Sequence, residues 1–150
     1  MQVFIPYSSP IEVAKCLDRR RLNKQVIESA QICKVITGES SSWRNHPIVK
    51  MYEKTSYMWL RFYHATLYHY AKGEIEEAQE LSDFADNIKP DFITQSLCDQ
   101  HKRRLYTKDP IFYSSFSNLG TSEDNWYIVD GERLVYRDGK LINIETKKKK

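Results

Sequence analysis

The chain lacks the residue groupings that build nucleotide and metal cages. Its five glycines are scattered, so no glycine-rich phosphate loop or dinucleotide fingerprint is present. Its three cysteines, Cys16, Cys33 and Cys98, are odd in number and show no metal-type pairing, which fits reduced thiols in a cytoplasmic setting. Cys33 falls on an apolar stripe, where a small core residue is expected. His64 and His69 stand five apart, a poor helical spacing for a shared metal, and no His-Glu motif accompanies them. There is no apolar run of membrane-spanning length and no charged start leading into an apolar signal core. No metal, no cofactor and no membrane partner are therefore expected.

What is present describes an ordinary globular chain with an uneven charge layout. At 150 residues, with 41% hydrophobic and 29% charged content, one compact domain with one core is expected, spanning 1–146 with a basic tail at 147–150. Aromatics reach 13%, ten of them tyrosine, a residue suited to half-apolar, hydrogen-bonding surfaces as well as to cores. The net charge is only +3, yet cations gather at Arg19, Arg20, Arg21 and Lys24, again at Lys102, Arg103 and Arg104, and in the four terminal lysines. Acidic residues concentrate at 74–86. Such segregation fits a polyanion partner and, equally, solvated helix surfaces.

The periodicity predicts a mainly α fold. After a short extended arm at 1–7, Ser9-Pro10-Ile11-Glu12 reads as a capped helix start with a capping box. The apolar face then changes register from Val13, Ala14 and Leu17 to Leu22, Val26, Ala30, Cys33 and Ile36. Two helices are expected, at 10–17 and 19–37, with Asp18 capping the second and Gly38 ending it. His46-Pro47 opens what reads as one long helix to Lys72, stopped by Gly73. An acidic helix at 74–87 should turn Ile75, Ala78, Leu81 and Phe84 inward, and another helix covers 93–106. Strand-like runs at 126–129, 133–136 and 141–144, separated by Asp130-Gly131 and Asp138-Gly139, predict a C-terminal hairpin or meander.

Three groups of residues could carry chemistry. Arg21, Lys24 and Glu28 share one face of the second helix, where a carboxylate among cations can stabilise positive charge developing at a sugar carbon. The alternative is an exposed face with an ordinary Lys24–Glu28 pair. Arg44, Asn45 and His46 precede the Pro47 helix start, where amides can receive a phosphate or where Asn45 and His46 simply cap. His101, Lys102, Arg103 and Arg104 cannot all face one way, so two of them contact a partner or all serve solubility.

The run Leu22-Asn23-Lys24-Gln25-Val26-Ile27-Glu28 followed by Gly38 resembles the first long helix of pyrimidine-dimer DNA glycosylases of the phage endonuclease V type. Arg21, Leu22 and Glu28 occupy the places of that family's basic residue, leucine and glutamate. The likeness continues at His46-Pro47, Val49, Tyr52-Glu53-Lys54 and Gly73, at Pro90, between His101 and Pro110, at Tyr113 and at Asn125-Trp126-Tyr127. It implies a single helical domain of the endonuclease V type and a cofactor-free glycosylase with coupled abasic-site lyase activity, acting as a monomer on double-stranded DNA in a bacterial or phage-infected cell. By the same resemblance, an N-terminal amine attacks the sugar C1′ and forms a Schiff base, and Glu28 assists. Arg21 acts beside them, and Arg19, Arg20, Lys24, Arg44, Asn45, His46, His101, Lys102 and Arg104 would form the DNA face. The family's amine usually belongs to a small residue exposed by methionine removal. Here bulky Gln2 follows Met1, so the amine is expected to be that of Met1, with Lys24 as a substitute. Two other readings share the scaffold: a non-catalytic nucleic-acid-binding or host-modulating protein, and an enzyme acting on a free nucleotide.

Overall fold

Proline and aspartate set where the first helices begin. In a computed structural model, which describes residues 1–144, Pro10 fills the first turn of α1 (Pro10–Cys16). Asp18 then caps α2 (Arg19–Ile36) by accepting from the Arg21 amide at 3.4 Å. Ser9 behaves differently from a capping residue. Its hydroxyl makes no cap bond and instead donates to Asp86 and lies 3.0 Å from Ser82 Oγ, tying α1 to α5 (Ile75–Asp86).

The long helix expected from Pro47 to Lys72 is two helices, α3 (Pro47–Tyr52) and α4 (Tyr57–Ala71). The reason is burial. Pro47, Ile48, Val49, Met51 and Tyr52 are all buried, and the chain reaches the surface at Lys54-Thr55 before returning to the core. The break re-aims the chain so that Trp59, Leu60, Tyr63 and Leu67 enter the same core, with the Tyr52 and Trp59 rings stacked 6.2 Å apart.

Two inward faces also differ from expectation. On α5 the buried residues are Ala78, Ser82 and Ala85, whereas Ile75 and Phe84 are exposed; small side chains let this helix lie close against α1 and α4. On α2 the fully buried stripe is Leu22, Gln25, Ser29, Ile32 and Val35, with Val26, Cys33 and Ile36 partly buried against the same core beside it. Two polar residues can sit there because each is hydrogen-bonded. Ser29 donates to the Gln25 carbonyl at 2.7 Å and lies 3.1 Å from His64 Nδ1.

Thr94 caps α6 (Gln95–Lys108), and a 3₁₀ turn follows at Ser114–Leu119. The chain ends in an antiparallel meander of β1 (Tyr127–Val129), β2 (Glu132–Arg137) and β3 (Lys140–Asn143). Its Asp130-Gly131 and Asp138-Gly139 loops have positive φ at all four residues, as two-residue type I′ turns require. The fold is thus mainly helical with a small C-terminal sheet, as expected. The lysine tail at 147–150 lies outside the described residues, and no described helix is long and apolar enough to cross a membrane.

The N-terminal arm is the least surface-like part of the fold. Gln2, Val3, Phe4, Ile5 and Pro6 are buried among the helices. A strand with no sheet must find other partners for its backbone, and here side chains supply them. The Ile5 amide donates to His101 Nδ1 at 2.6 Å, and the Phe4 ring meets that imidazole edge-on at 5.7 Å. His101 is fully buried, and burial together with the Arg104 cation pushes its pKa down to about 3. An unfolded histidine titrates near 6.5, so stability is complete above that pH and falls as the pH drops through 6.5 toward 3. His46 contributes in the same direction over 6.5 to about 4. Between pH 7 and pH 5, His101 alone should cost roughly 2 kcal/mol, and His101→Asn should flatten that dependence. Denaturant titrations at the two pH values measure it; equal stabilities would contradict a buried neutral imidazole.

Candidate active site

Gln25 is the polar residue about which the site is built. It occupies the apolar stripe of α2, three residues after Leu22, and is buried. Its Oε1 accepts from the Phe4 amide at 2.9 Å and from the Tyr63 hydroxyl at 2.9 Å. Its Nε2 donates to the Gln2 carbonyl at 2.9 Å and to Glu28 Oε1 at 3.3 Å. One side chain therefore fixes the arm against α2 and orients the carboxylate one turn further on. The arm's first residues are held from the other side too. Tyr127 donates to the Met1 carbonyl at 3.0 Å, and Gln2 Nε2 donates to the Trp126 carbonyl at 3.3 Å.

The result is a cleft of about 270 Å³ lined on one side by Met1, Gln2 and Phe4 and on another by Arg20, Arg21, Lys24, Gln25 and Glu28. Arg104, Lys108 and Asn125 complete it. Glu28 keeps only 17% of its side chain exposed, and Lys24 Nζ lies 4.0 Å from its Oε2. A half-buried carboxylate in a cation-rich cleft can stabilise positive charge at a bound ligand, and the surrounding cations suit phosphates.

Arg21 is braced rather than free. Its guanidinium donates to Asp18 Oδ1 at 3.1 Å, lies 3.9 Å from Asp109 and sits 6.0 Å over the Tyr113 ring. Tyr113 also donates to Asp18 and accepts from its amide. Burial alone would raise the Asp18 pKa, but these hydrogen bonds outweigh it and hold the carboxyl below its usual range. Arg104 is fixed by donating to Asn125 Oδ1 at 2.9 Å and to the Ser122 carbonyl at 3.3 Å.

The other residues singled out in the sequence are placed differently. Arg19 is exposed at the start of α2 but does not line the cleft. His101 is in the core, pinning the arm, so its side chain is not on a DNA-facing surface. Lys102 lies 4.5 Å over the Tyr7 ring and lines a separate hollow with Cys98 and Thr94. Arg44 and Asn45 are exposed, with Arg44 3.8 Å from Glu53. His46 caps α3, its Nδ1 accepting from the Ile48 amide at 3.0 Å. Its pKa is lowered to about 4 by burial and then by the charge of the N-terminal amine. Its ring packs edge-on to Trp43 and Tyr127. Away from the cleft, His69, Glu74 and Glu77 bring one ligand-type atom each within 4.8 Å at the α4–α5 turn.

Sequence reasoning missed Gln2, Phe4, Gln25, Lys108 and Asn125. Gln25 had only a neighbouring signal, standing beside Val26 and one helical turn after Leu22. Lys108 had one as well, being one helical turn beyond Arg104. Its pKa is lowered by desolvation and then by Arg104, Arg21 and Lys24, a measure of how positive the cleft is.

Comparison with known proteins bears on the same region. Residues 1–72, just under half of the chain, match the family model described as pyrimidine dimer DNA glycosylase. That span supplies the arm and α1 to α4, hence Met1, Arg21, Lys24 and Glu28, while Arg104, Lys108 and Asn125 lie beyond it. No curated protein and no solved structure matches the chain.

The Gln25 network should dominate local stability. Gln25→Leu strands the Phe4 amide and the Gln2 carbonyl, while Tyr63 keeps the Phe4 carbonyl as acceptor at 2.7 Å, and should cost about 2–4 kcal/mol. Urea denaturation reads the loss, and amide exchange at Phe4 should accelerate. A change below about 0.5 kcal/mol would show that the arm is held by packing alone.

Proposed function

We propose that this chain, whose first 72 residues carry the pyrimidine dimer DNA glycosylase match, is a DNA glycosylase with abasic-site lyase activity. The observation that carries the reading is the meeting of Met1 and Glu28 in one cation-lined cleft. They come from opposite ends of a network that no local sequence pattern requires.

The Met1 α-amine donates its lone pair to the sugar C1′ of a damaged pyrimidine nucleotide. The C1′–N bond to the base breaks, and its electrons leave with the base. Ring opening places a proton on O4′ and leaves a protonated imine between C1′ and the α-nitrogen. Loss of a C2′ proton then expels the 3′ phosphate by β-elimination, and water hydrolyses the imine. Glu28 stabilises positive charge at C1′ and serves the proton transfers. α-Amines are the least basic amines of a protein, which favours them as nucleophiles near neutrality. Arg20, Arg21, Lys24, Arg104 and Lys108 hold the phosphates flanking a nucleotide turned out of the duplex. Arg21, braced by Asp18 and Tyr113, meets them with little rotamer freedom left to lose.

Incubation with duplex bearing an abasic site or a cyclobutane dimer, followed by borohydride, tests this. The protein should form a trapped covalent complex. Glu28→Gln should cut turnover by about 10²-fold or more while trapping at the abasic site persists, and acetylation of the N-terminus should abolish trapping. DNA binding without cleavage or trapping on either substrate would identify a binding protein instead. Saturable binding of a free nucleotide that duplex does not compete would identify a small-molecule enzyme.

A further inference from the structure

Beside the cleft, two apolar side chains stand in solvent on a rigid turn. Ile111 is 89% exposed and Phe112 54% exposed, in a chain whose other turns carry mostly polar tips. The turn follows α6 directly and contains Pro110. Asp109 builds it: its carboxylate accepts from the Phe112 amide at 3.1 Å and its carbonyl from the Tyr113 amide at 3.0 Å. The Phe112 ring leans edge-on against buried Tyr113 at 4.9 Å, so it is braced from below and open above. These contacts hold the tip in place without covering it.

The tip is continuous with the cleft. Lys108, three residues before Ile111, lines it, and Asp109 lies 3.9 Å from the guanidinium of Arg21, which also lines it. Tyr113, on which Phe112 rests, is the residue under Arg21. The structure assigns the Ile111–Phe112 tip as a wedge that enters the base stack of duplex DNA next to the nucleotide held in the cleft; this rests on the function proposed above. Two side chains are too small a patch for a stable protein interface, which needs roughly 800 Å² on each partner. They are the right size to enter one base step, and the cations beside them suit the phosphates of a strand bent around the opening. An apolar wedge of this kind unstacks one step and kinks the duplex, which exposes a base that a glycosylase must reach.

The test uses the full chain and the double variant I111S/F112S, whose positions are exposed, so its melting temperature should match the parent. Binding is followed on a duplex carrying a reduced abasic site next to 2-aminopurine, whose fluorescence rises on unstacking. The parent should raise the signal several-fold and the variant should not. Cleavage of an abasic site in continuous duplex should fall at least 10-fold in the variant, while cleavage of the same site in a single strand changes less than 2-fold. Full signal and full duplex cleavage by the variant would overturn the wedge, as would equal loss on both substrates. So would unchanged DNA behaviour with a dimer-to-monomer shift in sedimentation, which would make the tip a self-association contact. A parent that cleaves neither substrate refutes the abasic-site lyase activity. The fluorescence signal then still decides the wedge, standing if the parent raises it and the variant does not, and falling otherwise.

Discussion

The hydrogen bonds made by one buried amide, Gln25, hold the N-terminal arm and the Glu28 carboxylate together at the candidate site. A burial position on a helix normally favours an apolar side chain, since a buried amide group without partners costs several kcal/mol. Gln25 is compensated at both ends: its oxygen accepts from the Phe4 amide and the Tyr63 hydroxyl, and its nitrogen donates to the Gln2 carbonyl and to Glu28. The same bonds that make burial tolerable carry the arm across α2 and bring the chain terminus into the cleft with the carboxylate.

The arm explains several features that look unrelated. His101, at the head of a cationic run, turns inward and supplies the acceptor that the Ile5 amide needs inside the core. Tyr127, in the small sheet, reaches back to the Met1 carbonyl, and Trp126 offers its carbonyl to Gln2. The C-terminal meander is therefore more than an appendage. Through β1 it fixes the terminus from the side opposite α2, and α3 in turn packs on β1. His46 sits at that junction, capping α3 and packing edge-on against Tyr127, and burial keeps it neutral at ordinary pH.

Much of the fold could be read from local chemistry, because caps and turns are local. Asp18, Gly38 and the two Asp-Gly pairs gave the right boundaries and turn types for that reason. Periodicity failed where tertiary packing overrode it. The α3–α4 break depends on how both segments pack into the core, which no local signal records, and the centre of the α2 face fell one position away because polar Gln25 and Ser29 do not register in an apolar period. The cluster of Arg21, Lys24 and Glu28 was legible as one helix face. Met1 and Arg104 joined it only through the family resemblance, and Lys108 and Asn125 not at all, since their meeting depends on contacts between segments up to 126 residues apart. His101 shows the converse: a residue of polar type, within a basic run, whose role is to satisfy a backbone amide.

The central claim is that the buried arm delivers the terminal amine of Met1 to a sugar carbon served by Glu28. Peptide mapping by mass spectrometry of the borohydride-reduced adduct with abasic-site DNA tests it most directly. The account predicts that the deoxyribose remnant is carried on the α-nitrogen of the peptide that begins at Met1. An adduct on the side chain of Lys24 or Lys108, with the N-terminal peptide unmodified, would contradict it.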